Sequence, residues 1–411
     1  MKKTISALTA VLATVCTVGY GQFVDNTEPD ANIRRARITP SLVRLKPGTT
    51  RQFRVIMSPR HLKFATLAEG VKWSVNGVAG GNRQLGTIDA DGVYQAPVRP
   101  ARHEINIAAE VPGATNRYVF ATVLLGEPES LYRFVREWSE TTDPNAADTH
   151  LEDPHGLCLD LQGNLLIVDR KKPYVIRYTV EGEFLGEVRP EAGEGVSLKE
   201  GRAVIVDKQG RIWACDQQVD QPRLHIYSCH GEHLHEFGHQ GVGPGQLLRV
   251  HGMAFDSKGR LFVVDVDNFR VNVYANNGRF LYCWGKAGLE LGEFNAPHGI
   301  MVDPSGDVFV SNYYGPTQKF DPNGHLLSAF AYADPPDGPV GFHSISGDRW
   351  GNVYMTVRCG AYYGGDYKAP TTEKTLHILK YNNNGDYVTG WSLAKPQDGP
   401  SWIAVADDGT V

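Results

Sequence analysis

One short stretch recurs along this chain and limits what it can fold into. Pro154-His155-Gly156-Leu157-Cys158-Leu159-Asp160 returns as Val250-His251-Gly252-Met253-Ala254-Phe255-Asp256 and as Pro297-His298-Gly299-Ile300-Met301-Val302-Asp303. Phe342-His343-Ser344-Ile345-Ser346-Gly347-Asp348 is a looser copy, and Gly201-Arg202-Ala203-Val204-Ile205-Val206-Asp207 puts arginine in the place of histidine. The repeated position falls at 155, 202, 251, 298 and 343, a period of 45 to 49 residues. Within one period, as in 252–284, four short apolar runs alternate with the turns Ser257-Lys258-Gly259 and Asn276-Asn277-Gly278. Four strands in such a period are the signature of a β-propeller blade. The expected blades begin near 151, 197, 246, 293, 338 and 396, inside a propeller over 131–411.

Abundant Gly and Pro, and apolar residues in short runs rather than helical stripes, support an all-β chain. The formal charge of −5, with both signs interspersed, gives no basis for nucleic-acid binding. Residues 1–22 combine Lys2-Lys3 with an apolar run from Ile5 to Tyr20, the pattern of a cleaved export signal. A membrane anchor and a lipoprotein acylated at Cys16 are the alternatives. Release to the periplasm, cell surface or exterior, with no membrane insertion after cleavage, is the expectation. Cys158, Cys215, Cys229, Cys283 and Cys359 lack CxxC spacing and a disulfide pattern, and read as buried thiols.

Residues 36–126 form a separate unit of short alternating strands and turns, expected to be a β-sandwich. Its segments Trp73-Ser74-Val75-Asn76-Gly77 and Gly86-Thr87-Ile88-Asp89, followed by Gly92, Tyr94 and Ala96-Pro97, resemble bacterial immunoglobulin-like domains of group 2. That resemblance implies a spacer or adhesive module. The blade consensus resembles NHL repeats, through His251-Gly252, Gly259-Arg260-Leu261-Phe262-Val263-Val264-Asp265 and Asp267-Asn268-Phe269-Arg270-Val271.

Two irregularities accompany the repeats. Residues 132–138 read as an outer strand with no blade before it, suited to closing the last blade. The chain reaches only one strand of a sixth blade, from Ser401 to Ala406, consistent with a fragment of a six-bladed ring or with an open ring.

The histidines precede the innermost strands and should ring the channel mouth. Asp169-Arg170, Asp216, Asp265, Asn312-Tyr313-Tyr314 and Arg358, at second-strand ends, should share that face. His155, His251 and His343 stand on alternate blades and can converge as a tripod, with His298 as a fourth ligand or a group behind the ligands. Three imidazoles and an open position suit catalytic zinc. The competing structural reading is a turn signature whose histidine bonds to a neighbouring blade. Five further histidines, His225, His230, His233, His235 and His239, lie away from the channel. Strand alternation puts His233 and His235 on one face, open to adventitious surface metal binding, and the group reads as solvated surface. The Gly- and Tyr-rich insertion 358–376 reads as a lid over the mouth.

Taken together, the propeller resembles peptidyl-α-hydroxyglycine α-amidating lyases, six-bladed propellers with a central zinc on three histidines. The resemblance implies Arg202 and Arg358 as carboxylate clamps, Tyr313 or Tyr314 as the catalytic phenol, and a zinc-dependent C–N lyase releasing glyoxylate. It departs from that family in its shifted blade order and in His298, which has no counterpart. The alternatives are a non-catalytic extracytoplasmic propeller binding protein or carbohydrate, with inter-blade roles for the arginines, and a calcium-dependent lactonase-type propeller. Calcium would require inward carboxylate and Asn ligands.

Overall fold

The computed structural model describes residues 34–59, 66–126, 132, 151–188, 198–217, 221–330, 340–359, 378–391, 402–406 and 411. All secondary structure among them is β. The expected signal (1–22), most of the closing strand (133–138), residues 360–376 of the insertion and Ser401 lie outside the described residues.

In the N-terminal unit, Leu42–Leu45 runs parallel to Tyr118–Leu125, which pairs with Glu104–Glu110 and through it with Lys72–Val75. Two smaller sheets complete the unit. Alternating residues from all three sheets, among them Val55, Trp73, Val75, Tyr94, Ile107 and Val123, meet in one core. The period-two pattern of these strands therefore acts as expected, sending one side of each strand inward.

From Pro154 to Trp391, five successive four-stranded antiparallel sheets follow in strict sequence order. Their innermost strands are Pro154–Leu159, Gly201–Val206, Val250–Phe255, Pro297–Val302 and Val340–Gly347. Each packs against the innermost strand of the next sheet. This serial, radial arrangement is a β-propeller. The core lies between blades: Phe262, Val264 and Trp284 of blade three mesh with Ile300, Val308 and Phe320 of blade four. Burying each such side chain contributes on the order of 1.5–3 kcal/mol.

The aspartate ending each repeated stretch closes the turn to the second strand. Asp207 Oδ1 accepts N–H bonds from Gln209 and Arg211, both at 2.9 Å, and Asp256 does the same for Lys258 and Arg260. Such self-capping is why Asp recurs there.

The N-terminal unit docks on this turn of blade four and on the turn before the outermost strand of blade five. Arg35 pairs with Asp307, Ser305 Oγ donates to Tyr118 O at 2.6 Å, and Asn384 Nδ2 donates to Phe120 O at 3.0 Å. Those turns lie at the ends of blades opposite the repeated histidines. Tyr132, the described residue of the expected closing strand, stacks on Trp391 at 4.3 Å and hydrogen-bonds Tyr354, both in blade five.

The central channel has a cavity volume of about 380 Å³. Six segments line it: 157–159, 203–206, 252–255, 299–302, 344–348 and 402–405. The last occupies a sixth position around the axis without strand pairing among the described residues.

Candidate functional site

The repeated position is a β-bulge in every blade. Pairing skips from Pro154↔Asp169 to Gly156↔Val168, leaving His155 as the extra residue, and from Gly201↔Asp216 to Ala203↔Cys215, leaving Arg202. The register shifts likewise across His251-Gly252, His298-Gly299 and His343-Ser344. A bulge re-aims its residue relative to strand alternation, and here it gathers side chains from separate blades at one end of the channel. Bulge N–H groups are satisfied locally: Gly299 N bonds to Ser311 Oγ at 2.8 Å and Ser344 N to Thr356 Oγ1 at 2.9 Å.

The glycine after histidine also has a physical reason. A Cβ on Gly156 would stand 2.6 Å from Arg202 O, and one on Gly252 would stand 2.7 Å from His298 O. Close approach of neighbouring innermost strands requires glycine, and that approach draws the imidazoles together.

The four histidines form a single cluster. Ring centres lie 4.2 Å apart for His251 and His298, 5.1 Å for His298 and His343, 5.6 Å for His251 and His343, and 5.1 Å for His155 and His251. Ligand nitrogens of His251, His298 and His343 all lie within 4.8 Å of one another. This trio comes from three consecutive blades and differs from the alternate-blade tripod of His155, His251 and His343.

His155 is diverted by its neighbour. Its Nδ1–H donates to Arg202 O at 2.9 Å, while Nε2 faces Arg202 Nη1 at 3.5 Å. A guanidinium in front of Nε2 opposes a second cation there. Trp402 Nε1 sits 3.2 Å from the same Nδ1; a nitrogen already donating to a carbonyl cannot also accept, so this contact is packing. Burial pushes the His155 pKa down to about 4, helped by the charge on Arg202 and opposed by the bond to its carbonyl.

His251 is buried, and its Nδ1 makes no hydrogen bond. Burial first, then the neighbouring imidazoles, hold its pKa well below the ordinary value. It is therefore a neutral ring with an unused buried nitrogen, which normally costs about 1–3 kcal/mol. His298 Nδ1–H donates to Ala296 O at 3.1 Å, which directs its Nε2 lone pair elsewhere. Ala296 holds the left-handed conformation, φ 55°, unusual for a residue with a Cβ. Two imidazoles, one oriented by a backbone carbonyl and the other a neutral ring lacking a partner at Nδ1, fit a zinc-type ion.

Among the other expected site residues, Tyr313 packs its ring 5.1 Å from His298 and 6.3 Å from His343. Tyr314 packs edge-on against Tyr313, ring centres 5.0 Å apart. Arg202 reaches the cluster but is ion-paired to Glu200. The backbone of Arg358 pairs with Gly341 at the mouth end of blade five; its side chain lies outside the described residues.

The second-strand acids at this face bind backbone N–H groups. Asp169 accepts the N–H groups of Glu152 and Asp153, Asp216 those of Lys199 and Glu200, and Asp265 those of Leu248 and Arg249. Asn312 does the same for Asn295 N at 3.2 Å, and Arg170 is ion-paired to Asp153. These groups fasten the chain just before each bulge. Sequence reasoning missed Trp402, whose ring lies 5.4 Å from His155 and 6.2 Å, nearly parallel, from His251; its only signal was its place in the sixth repeat.

Of the cysteines, Cys215 and Cys283 are buried as expected, Cys158 is half-buried beside the channel, and Cys229 is exposed, sitting in a turn rather than a strand. Among the described residues no helix is long and apolar enough to cross a membrane.

No protein-family model and no curated protein matches the sequence. Among solved structures, the chain is similar to virginiamycin B lyase from Staphylococcus aureus, with 13% identity, 62% of this chain and 74% of that one covered, and a TM-score of 0.43. It is also similar to a protein of unknown function from Bacteroides thetaiotaomicron (15% identity, 90% and 92% covered, TM-score 0.48) and to a putative gluconolactonase (16%, 62% and 82%, 0.40). Likeness at this level carries no functional assignment. The sheet order and inter-blade packing stand by themselves: the chain is an all-β protein with a β-propeller whose channel is capped at one end by four histidines.

Proposed function

We propose that this is an exported, metal-binding propeller of the six-bladed NHL type, with an immunoglobulin-like N-terminal spacer and a zinc-dependent lyase site at the channel mouth. The observation that carries the metal is the trio His251, His298 and His343, with ligand nitrogens within 4.8 Å and the buried Nδ1 of His251 unpartnered. These three residues would hold the ion, and bound zinc would supply Lewis-acid polarisation of a substrate oxygen. Tyr313, packed on His298, brings its side-chain oxygen to the same place; as the phenolate it would take the proton of a substrate hydroxyl and return it to the amide nitrogen as the C–N bond breaks. His155 positions Arg202 through its carbonyl and Nη1, and Arg202 would receive a substrate carboxylate in exchange for Glu200. Arg358, Tyr314 and the insertion beyond residue 358 would complete the substrate side.

The substrate class implied is an α-hydroxyglycine-type peptide or a related small molecule. Incubating full-length protein with zinc and an α-hydroxyglycine peptide should release glyoxylate. Metal bound without release would move the reading to another substrate. The second reading is a non-catalytic extracytoplasmic propeller that binds protein or carbohydrate. The Arg202–Glu200 ion pair favours it, because it occupies the guanidinium a carboxylate clamp would need.

A further inference from the structure

We propose that blade two carries a second zinc-type site, on its outer rim, formed by His225, His233 and Glu236. The site shares no residue with the channel and stands or falls independently of the proposed function.

The third and outermost strands of this blade are Arg223–Tyr227 and His233–Phe237. Simple alternation along the outer strand would put His233 and His235 on one face. The observed register does not. Tyr227 pairs with His233, Ile226 with His235, and His225 with Glu236, so Leu234 is an extra residue in a bulge. The bulge reverses the alternation after His233. His233 and Glu236 therefore share a face with His225, while His235 turns to the other face and stacks on Phe237 at 6.3 Å.

The resulting trio has the dimensions of a metal site. Its three ligand atoms lie within 4.8 Å of one another. His225 Nδ1 is 3.4 Å from His233 Nε2 and 3.6 Å from Glu236 Oε2. Two atoms each about 2.0–2.1 Å from a tetrahedral zinc stand roughly 3.3–3.4 Å apart. The His225 side chain is only 5% exposed, whereas Glu236 is 43% exposed, leaving the outer side of the site to solvent. His225 Nε2 is buried without a hydrogen-bond partner, so no hydrogen bond there dictates which ring nitrogen carries the proton. Two imidazoles and one carboxylate, with a side open to water, suit zinc or a neighbouring transition ion. Bound there, the ion would tie the outermost strand to the strand inside it, at the edge of the blade.

The test is zinc uptake by the full chain at micromolar free zinc, using the ion alone. The wild type should bind one equivalent more than the double variant His233→Ala/Glu236→Gln, whose changes lie on the outermost strand. His235→Ala should bind as many equivalents as wild type. His251→Ala/His298→Ala should still take up the rim equivalent, which separates this site from the channel. Zinc should also slow amide exchange across 223–237 at least several-fold in wild type and not in the rim double variant. Equal uptake by wild type and the rim double variant would overturn the site. So would a loss on His235→Ala equal to that of the rim variant, since it would mean chelation by an unfastened strand.

Discussion

The imidazole of His251 lies 4.2 Å, ring centre to ring centre, from that of His298 on the next blade. Gly252 sets that distance, because a Cβ there would meet His298 O at 2.7 Å. Gly252→Ala should separate the strands, costing about 1–3 kcal/mol in denaturation, and weaken zinc binding at the channel. Gly156→Ala, with a similar collision against Arg202 O, should destabilise comparably while leaving channel zinc affinity within a few-fold. Equal losses of zinc in both variants would detach the trio from blade spacing.

Stability of the chelator-stripped protein should depend on pH in a defined window. His155 titrates at about 4 when folded, and His251 is also held low, whereas an unfolded histidine titrates near about 6.5. The unfolded chain therefore binds more protons between those values. The contribution is fully present above about pH 6.5 and is lost as pH falls towards 4. His155 alone accounts for up to roughly 3 kcal/mol. Urea midpoints should fall across that range, and fall less in His155→Gln. A slope unchanged by that substitution would contradict the burial of His155.

The buried carboxylate of Asp265 accepts from Leu248 N, Arg249 N and Asn268 Nδ2, and its replacement strands all three. Asp265→Ala should cost about 3 kcal/mol or more. Arg249→Ala removes an exposed ion pair with Asp267 and should cost less than about 1 kcal/mol. Chemical denaturation distinguishes the two.

If the mouth is a lyase site, Tyr313→Phe should lower kcat by roughly 10²–10⁴-fold. Glu200→Gln should lower KM for a carboxylate-bearing substrate, because it removes the group that occupies Arg202. Steady-state glyoxylate release reads both. A Tyr313→Phe variant as active as wild type would remove the phenol from the chemistry.

The propeller was legible because its period is carried by turns, and Asp207 and Asp256 cap those turns. The gathering of histidines at the mouth was legible too, since one position recurs in five blades. Which histidines form the trio was not, because it depends on the side-chain bond that turns His155 towards Arg202. The face shared by His225, His233 and Glu236 was hidden for another reason: a one-residue bulge inverts a period-two pattern, and nothing in His233-Leu234-His235 marks it. Asp169, Asp216 and Asp265 looked like site carboxylates because they lie in the right place, but only hydrogen-bond accounting shows that backbone N–H groups engage them.

The most direct test of the central claim is the zinc content per chain of wild type and of His251→Ala/His298→Ala, equilibrated side by side at micromolar free zinc. The double variant should hold one equivalent less, with the rim site unchanged. The same number of equivalents in both proteins would contradict a metal centre at the channel mouth.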